Sequence, residues 1–180
     1  MRSLHRLLVA AASAVALGFG TSGIGTAEPV GTAEPVALPT QDSTYLVVSH
    51  QAHLTEMLAG TRAAAMGTCP QVRQIGAMLV TDHARLDAMG AAVAIPNGVM
   101  LPLAPNQDQT QQLLNTGMKM GRDFDLSWLR MQEGFHIQSL QAGARQMQFG
   151  SNEQVTVLAR SAKPIVEHHL MMVRDALTRC

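Results

Sequence analysis

The stretch FDLSWLRMQEGFHIQSLQAGARQM, residues 124–147, has the periodicity of an amphipathic helix with His136 near its centre. At about 100° per residue, the face centred on His136 is largely apolar but also holds Asp125, Gln132 and Glu133. Burying polar side chains without partners is costly. We therefore expect the polar groups of this face to find partners on neighbouring segments.

Composition and periodicity predict an all-α fold. Aromatic residues make up only 3% of the chain, while Ala, Leu, Met and Gln are common, which favours helices over strands. Short Gly- and Pro-containing turns and one longer link separate the helical patterns, and residues 41–43 offer capping side chains for the first helix. The predicted helices are residues 42–66, 71–93, 107–149 with a break near 115–117, and about 152–178. This arrangement predicts a four-helix bundle.

The N-terminal residues are typical of a signal peptide. Arg2 and Arg6 precede an apolar run at 7–20 that is too short to span a membrane, and small residues at 25–27 suit cleavage after Ala27. The sequence GTAEPV occurs twice in succession, at 25–30 and 31–36, and predicts a disordered linker over residues 28–40. The bundle domain is then 41–180, and we expect a secreted, periplasmic or envelope-associated protein.

Several functional classes find no support in the sequence. The whole chain has 13 basic and 13 acidic residues and no basic stripe, so nucleic acid is not an expected partner. The mature chain has no apolar run of 18 residues, so no stable membrane span is expected after cleavage. No phosphate-binding loop, nucleophile elbow or Ser-His-Asp order occurs, which leans against an enzyme.

Three other helices repeat the anomaly of residues 124–147. His83 and His169 each lie at the centre of an otherwise apolar face, and Glu56 shares its face with His53 and several small residues. Glu56 and His83 are equidistant from the first turn, and His136 and His169 are equidistant from the turn at Asn152. Residues equidistant from the turn of a helical hairpin lie at the same height. One carboxylate and three imidazoles are therefore predicted to share a layer.

Such a layer has two interpretations. A mononuclear site would suit zinc, copper or iron, and its candidate ligands are Glu56, His83, His136 and His169, with Glu133 and His53 near the same layer. The alternative is a hydrogen-bonded His–Glu layer without metal, in a structural or protein-interaction bundle. A di-iron site fits less well, because Glu-x-x-His occurs at Glu133–His136 while Val80 and Val166 occupy the corresponding positions elsewhere.

Several short motifs resemble those of the secreted "domain of unknown function 4142" family, over about residues 42–177. They are Leu54-Thr55-Glu56, Val80-Thr81-Asp82-His83, Phe124-Asp125 followed by His136, and the run from Pro164 to Leu170. The resemblance implies a ferritin-like four-helix bundle in a secreted or periplasmic protein, and no particular reaction. His53, where the family is expected to have Asn, and the additional His168 depart from the pattern.

Two further expectations concern topology and assembly. In a ferritin-like bundle, the link over residues 93–106 crosses the full height of the bundle, which would bring Cys69 and Cys180 to the same end. In a plain up-down-up-down bundle the two cysteines would lie at opposite ends. We expect the crossover, with Cys69 and Cys180 at the same end. The first helix also has a second apolar face, formed by Val47, Leu54 and Leu58, and we expect a homodimer contact there.

Overall fold

The computed structural model describes residues 37–180, which form five α-helices and one short 3₁₀ turn. The helices are α1 (Thr40–Met66), α2 (Pro70–Ala94), α3 (Gln107–Gly117), α4 (Gly121–Phe149) and α5 (Glu153–Arg179), and the 3₁₀ turn is Ile95–Asn97. The predicted signal peptide and most of the predicted linker lie outside the described residues. Leu38, at the end of that linker, already packs against the core.

The four long helices form a bundle in which α1 packs on α2 and α4, and α5 packs on α4 and α2. A disulfide joins Cys69, just before α2, to Cys180, just after α5, with the two Cα atoms 5.8 Å apart. The start of α2 and the end of α5 therefore lie at the same end of the bundle, and α2 runs parallel to α4. This is the crossover topology of ferritin-like bundles, so the predicted position of the cysteines is confirmed.

The crossover differs from the sequence prediction. We expected residues 107–149 to form one bundle helix with a break, but α3 belongs to the crossover and packs on α1 and α4. The chain turns after α3, where Gly121 has a φ of 57° that favours glycine. The 11 residues of α3 advance the chain by about 16 Å. The link over residues 93–106 and α3 therefore cross the height of the bundle together.

Close helix contacts fix the register of the layer. Gly60 of α1 and Gly76 of α2 face each other, and a Cβ built on Gly60 would lie 2.6 Å from the Gly76 carbonyl oxygen. A side chain at either position would therefore push the two helices apart. Beside this contact, the buried Trp128 indole N–H of α4 donates to the Ala59 carbonyl of α1 at 3.0 Å. The small residues of α1, Ala59 and Gly60, allow these close approaches.

Two buried aspartates tie the hairpins together. Asp125, near the start of α4, accepts hydrogen bonds from the backbone N–H groups of Thr68 and Cys69 at 3.0 and 2.8 Å, in the turn between α1 and α2. Asp42, near the start of α1, accepts from the N–H groups of Ser151 and Asn152 at 3.2 and 3.1 Å, in the turn between α4 and α5. The hairpin of α1 and α2 and the hairpin of α4 and α5 thus each supply an aspartate that accepts hydrogen bonds from the turn of the other.

Asp42 does not cap its own helix as the sequence suggested. The residue preceding α1 is Pro39, and no side chain caps this helix. Asp42 is not free to cap α1, because both of its carboxylate oxygens accept hydrogen bonds from the region of α4 and α5. Asn152 caps α5 in the ordinary way, because its side chain accepts from the Val155 N–H.

The outer face of α1 is partly covered by the crossover. His50 Nε2 lies 2.9 Å from the Pro102 carbonyl oxygen, and the Gln51 amide donates to Ala104. Leu58 remains 55% exposed. The homodimer contact through this helix stays a prediction. None of the helices within residues 37–180 is long and apolar enough to cross a membrane.

Candidate metal centre

The four helices of the bundle each place one polar side chain in a common buried layer. His83 of α2, His136 of α4 and His169 of α5 are each at most 1% exposed, and one ring nitrogen from each lies within 4.8 Å of the others. Glu56 of α1 is also 1% exposed, and its Oε1 lies 3.5 Å from His136 Nδ1. The predicted convergence of the three histidines is therefore confirmed, and Glu56 contacts one of them.

Hydrogen bonds fix the protonation pattern of two rings. His136 Nδ1 lies 2.8 Å from the Gln132 carbonyl oxygen, and His169 Nε2 lies 2.9 Å from Asp82 Oδ2. Because a carbonyl and a carboxylate oxygen only accept, each of these nitrogens carries a hydrogen. The other nitrogen of each neutral ring, His136 Nε2 or His169 Nδ1, then has a free lone pair and is buried without a partner among the described residues.

His83 is held by a second histidine. Its Nδ1 lies 3.0 Å from Nδ1 of His53, so one of these nitrogens donates and the other accepts. His83 Nε2 has no partner within residues 37–180. With the hydrogen on His83 Nδ1, all three rings present a lone pair to the layer. Histidines that ligate metals are commonly oriented in this way, through a hydrogen bond from the other ring nitrogen.

Burial keeps the layer uncharged when it is empty of cations. It lowers the pKa of His136 and of His53 to about 4 in each case, and it lowers the pKa of His83 well below its usual value. Neighbouring imidazoles push the His83 pKa further down. Burial also raises the pKa of Glu56 to about 8, an increase that the nearby Gln132 side chain partly offsets. The 3.5 Å contact between Glu56 and His136 is therefore not an ion pair near pH 7.

The layer leaves six buried polar atoms without hydrogen-bond partners among the described residues. They are His83 Nε2, His136 Nε2, His169 Nδ1, Glu56 Oε2 and both polar atoms of the Gln132 amide. Native proteins leave few buried polar groups unpaired, and such groups are rarely concentrated in one place. Three imidazoles around one point, with the Glu56 carboxylate beside one of them, form a donor set that fits a transition-metal ion.

Not every predicted candidate reaches this layer. Glu133 lies at the bundle surface, where its carboxylate accepts from Arg174 Nε of α5 at 2.7 Å. The structure therefore brings Gln132, rather than Glu133, toward the histidines. His53 reaches the layer as the partner of His83 and shares a cavity of about 70 Å³ with Glu56 and His83.

Asp82 and Asp87 of α2 flank His83 in the sequence, which suggests that they orient its ring, but each contacts a different histidine. Asp82, next to His83 in the chain, contacts His169 of α5. Asp87 contacts His50 Nδ1 at 2.6 Å, near the crossover. Consecutive helical residues point about 100° apart, so the residue beside a core histidine can reach the neighbouring helix. That geometry is the sequence signal that points Asp82 to a histidine on the neighbouring helix.

A comparison with protein-family models matches residues 27–176 to the domain of unknown function DUF4142. The chain belongs to the DUF4142 family. The match covers every helix of the bundle except the last few residues of α5, and thus includes all the residues of the layer. It assigns no activity to this DUF4142 domain.

The fold has a relative among solved structures. The crystal structure of a DUF305 fragment from Deinococcus radiodurans aligns with a TM-score of 0.71 at 10% identity. The alignment covers 81% of this chain and 100% of that one. At this identity the similarity concerns the fold alone, and it supports the all-α bundle. A search of curated proteins finds no match.

Proposed function

We propose that this DUF4142 domain binds one transition-metal ion through His83, His136 and His169, with Glu56 as a fourth ligand. The observation that carries the proposal is the convergence of three buried ring nitrogens within 4.8 Å, from rings that each leave one nitrogen unpartnered. Neutral imidazoles and a carboxylate suit zinc, copper or iron.

The surroundings of the rings support metal binding. Asp82 and the Gln132 carbonyl take the outer hydrogens of His169 and His136, which leaves lone pairs toward the layer. A cation would also favour the ionised form of Glu56, whose pKa burial raises to about 8. Binding near neutral pH would then release a proton, as is usual for carboxylate ligands.

The alternative is a structural bundle with a hydrogen-bonded His–Glu layer. It requires the buried groups to satisfy one another, because unpaired polar atoms destabilise a core. Glu56 Oε2 and one nitrogen of each of the three histidines lack such partners. This observation favours the metal hypothesis.

The location predicted from residues 1–27 agrees with the proposed chemistry. A disulfide between Cys69 and Cys180 suits an oxidising compartment, so we propose a secreted, periplasmic or envelope-associated domain. There the domain would meet metal ions supplied from outside the cytoplasm.

Thermal unfolding with added metal tests the proposal. The domain is purified without a polyhistidine tag, stripped with chelator and melted with and without Zn²⁺, Cu²⁺ or Fe²⁺. At least one ion should raise the melting temperature, because a ligand of the native state stabilises it by mass action. His136→Leu should fold, because apolar replacements in buried polar layers are often tolerated, but should lose the metal-dependent increase.

The matched control is His168→Leu. His168 is adjacent to His169 in the chain but exposed, so this variant should keep the full metal response. If melting curves of the wild-type domain are identical with and without each of the three ions, the proposal is wrong.

A further inference from the structure

A large apolar cleft lies between the C-terminal half of α1, the crossover with α3, and the N-terminal half of α4. It measures about 830 Å³, which is within the range usual for sites that bind small molecules. Its floor includes the buried rings of Phe124 and Trp128, and its rim includes Leu58 and Leu114, which are 55% and 58% exposed. The cleft shares no lining residue with the three histidines or Glu56, so it is separate from the candidate metal centre.

Arg62 is the one charged side chain among the described residues that line the cleft. Its guanidinium donates to the Gly117 carbonyl at the end of α3, and it forms no ion pair within residues 37–180. A guanidinium has five N–H donors and can hold a carboxylate through two of them. The cleft therefore combines an apolar surface for a hydrocarbon tail with a cation for an anionic head group.

The length of the cleft favours a single hydrocarbon chain over a helix of a partner protein. The lining residues of α1 run from Leu58 to Met66, about 12 Å along the helix axis, so a partner helix would contact the cleft over only about two turns. Each CH₂ group of a tail that leaves water adds to the affinity. Arg62 supplies one positive charge, which matches one carboxylate.

We propose that this cleft binds a fatty acid, with its carboxylate on Arg62 and its tail against the ring of Trp128. The inference goes beyond the proposed function, because it concerns a second site and needs no metal ion.

Quenching of Trp128 fluorescence by bromododecanoic acid tests the inference. Trp128 is the only tryptophan of the chain, and bromine quenches an indole that it contacts. The domain is titrated in the presence of a chelator and below the micelle concentration of the acid. The wild type should show saturable quenching with one acid per chain. The methyl ester of the same acid has no charge to pair with Arg62, so it should bind about tenfold more weakly.

Matched variants separate the head group from the tail, and circular dichroism checks that each variant folds. Arg62→Gln should bind the acid about tenfold more weakly and the methyl ester as the wild type does. Arg85→Gln, at an exposed position of α2 outside the cleft, should change neither affinity. Leu58→Glu places a carboxylate on the exposed rim and should abolish saturable quenching by the acid. Val157→Glu, at an exposed position of α5, is its control and should bind normally.

Two results would overturn the inference. One is the absence of saturable quenching in the wild type, and a wild-type dimer that Leu58→Glu converts to a monomer in light scattering would then show that a second copy covers the cleft. The other is equal affinity for the acid and its methyl ester, unchanged in Arg62→Gln, which would show that the guanidinium recognises no carboxylate. Neither result depends on metal content, so neither decides the proposed metal binding.

Discussion

Asp82 of α2 holds His169 of α5 through a contact of 2.9 Å between Oδ2 and Nε2. His169 is fully buried while the Asp82 side chain is 37% exposed, so the contact orients a core ring from the bundle surface. If His169 is a ligand, removing this partner should loosen the metal without emptying the site.

Asp82→Asn should therefore weaken metal affinity by roughly 10- to 100-fold, the usual cost of losing an orienting carboxylate. The measurement is competition against a chromophoric chelator. Asp87→Asn is the matched control, because Asp87 contacts His50 and not the layer. Equal losses in the two variants would show that charge on α2, rather than ring orientation, governs affinity.

The metal-free domain should lose stability in acid. Burial lowers the pKa of His53 and His136 from 6.5 to about 4, and lowers that of His83 as well. Between these values the unfolded chain binds more protons than the folded one, so the free energy of unfolding falls as pH drops from 6.5 toward 4. Urea titrations with chelator present measure this, and His136→Leu should reduce the slope. A slope unchanged by His136→Leu would argue against a buried neutral ring.

The alkaline side should depend on Glu56. Burial raises its pKa from 4.5 to about 8, so between these values Glu56 holds a proton in the folded domain but not in the unfolded chain. The contribution of Glu56 to the free energy of unfolding therefore falls as the pH rises through that range. In chelator, Glu56→Gln should make the domain more stable than the wild type at pH above about 8, where the buried charge is avoided. The difference should shrink near pH 5. A constant difference at every pH would contradict the raised pKa.

The two aspartate caps should matter for folding and not for metal chemistry. Asp125→Ala leaves the N–H groups of Thr68 and Cys69 without their acceptor and should cost about 2–4 kcal/mol of unfolding free energy. Asp42→Ala should have a similar effect on the other turn. Asp108→Ala, at an exposed position of α3, is the control. Chemical denaturation that detects no loss in either cap variant would refute this account of the turns.

Reducing the disulfide should destabilise the domain while leaving its topology unchanged. The bridge closes a loop with a sequence separation of 111 residues, which corresponds to about 4–5 kcal/mol in the chain-entropy description. A Cys69→Ser, Cys180→Ser double variant should unfold at a correspondingly lower urea concentration. Unchanged unfolding would mean that the caps and core alone hold the two ends together.

The layer was predictable because, in a helical hairpin, the number of residues between a side chain and the turn sets its height along the bundle. Glu56 and His83 flank the first turn symmetrically, and His136 and His169 flank the second, so their meeting required no knowledge of side-chain packing. The position of the cysteines followed only once a crossover was assumed, and the family resemblance, rather than the helical periodicity, favoured that crossover. For the layer, the periodic part of the sequence carries the information.

Details that depend on which neighbour a side chain meets were not predictable. Gln132 and Glu133 are adjacent in the sequence, and the sequence does not show that Glu133 pairs with Arg174 of α5 at the surface. Likewise α3 has a helical pattern of its own, and the sequence does not distinguish a crossover helix from the start of a bundle helix. Asp42 looked like a helix cap because local sequence cannot reveal a partner more than 100 residues away.

The most direct test of the account is the metal content of the tag-free domain after exposure to Zn²⁺, Cu²⁺ or Fe²⁺ and removal of excess ion. Elemental analysis should find one ion per chain in the wild type and in His168→Leu, and much less than one in His136→Leu, because only the last variant removes a nitrogen from the buried layer. Equal metal content in His136→Leu and the wild type, or none in either, would contradict the central claim.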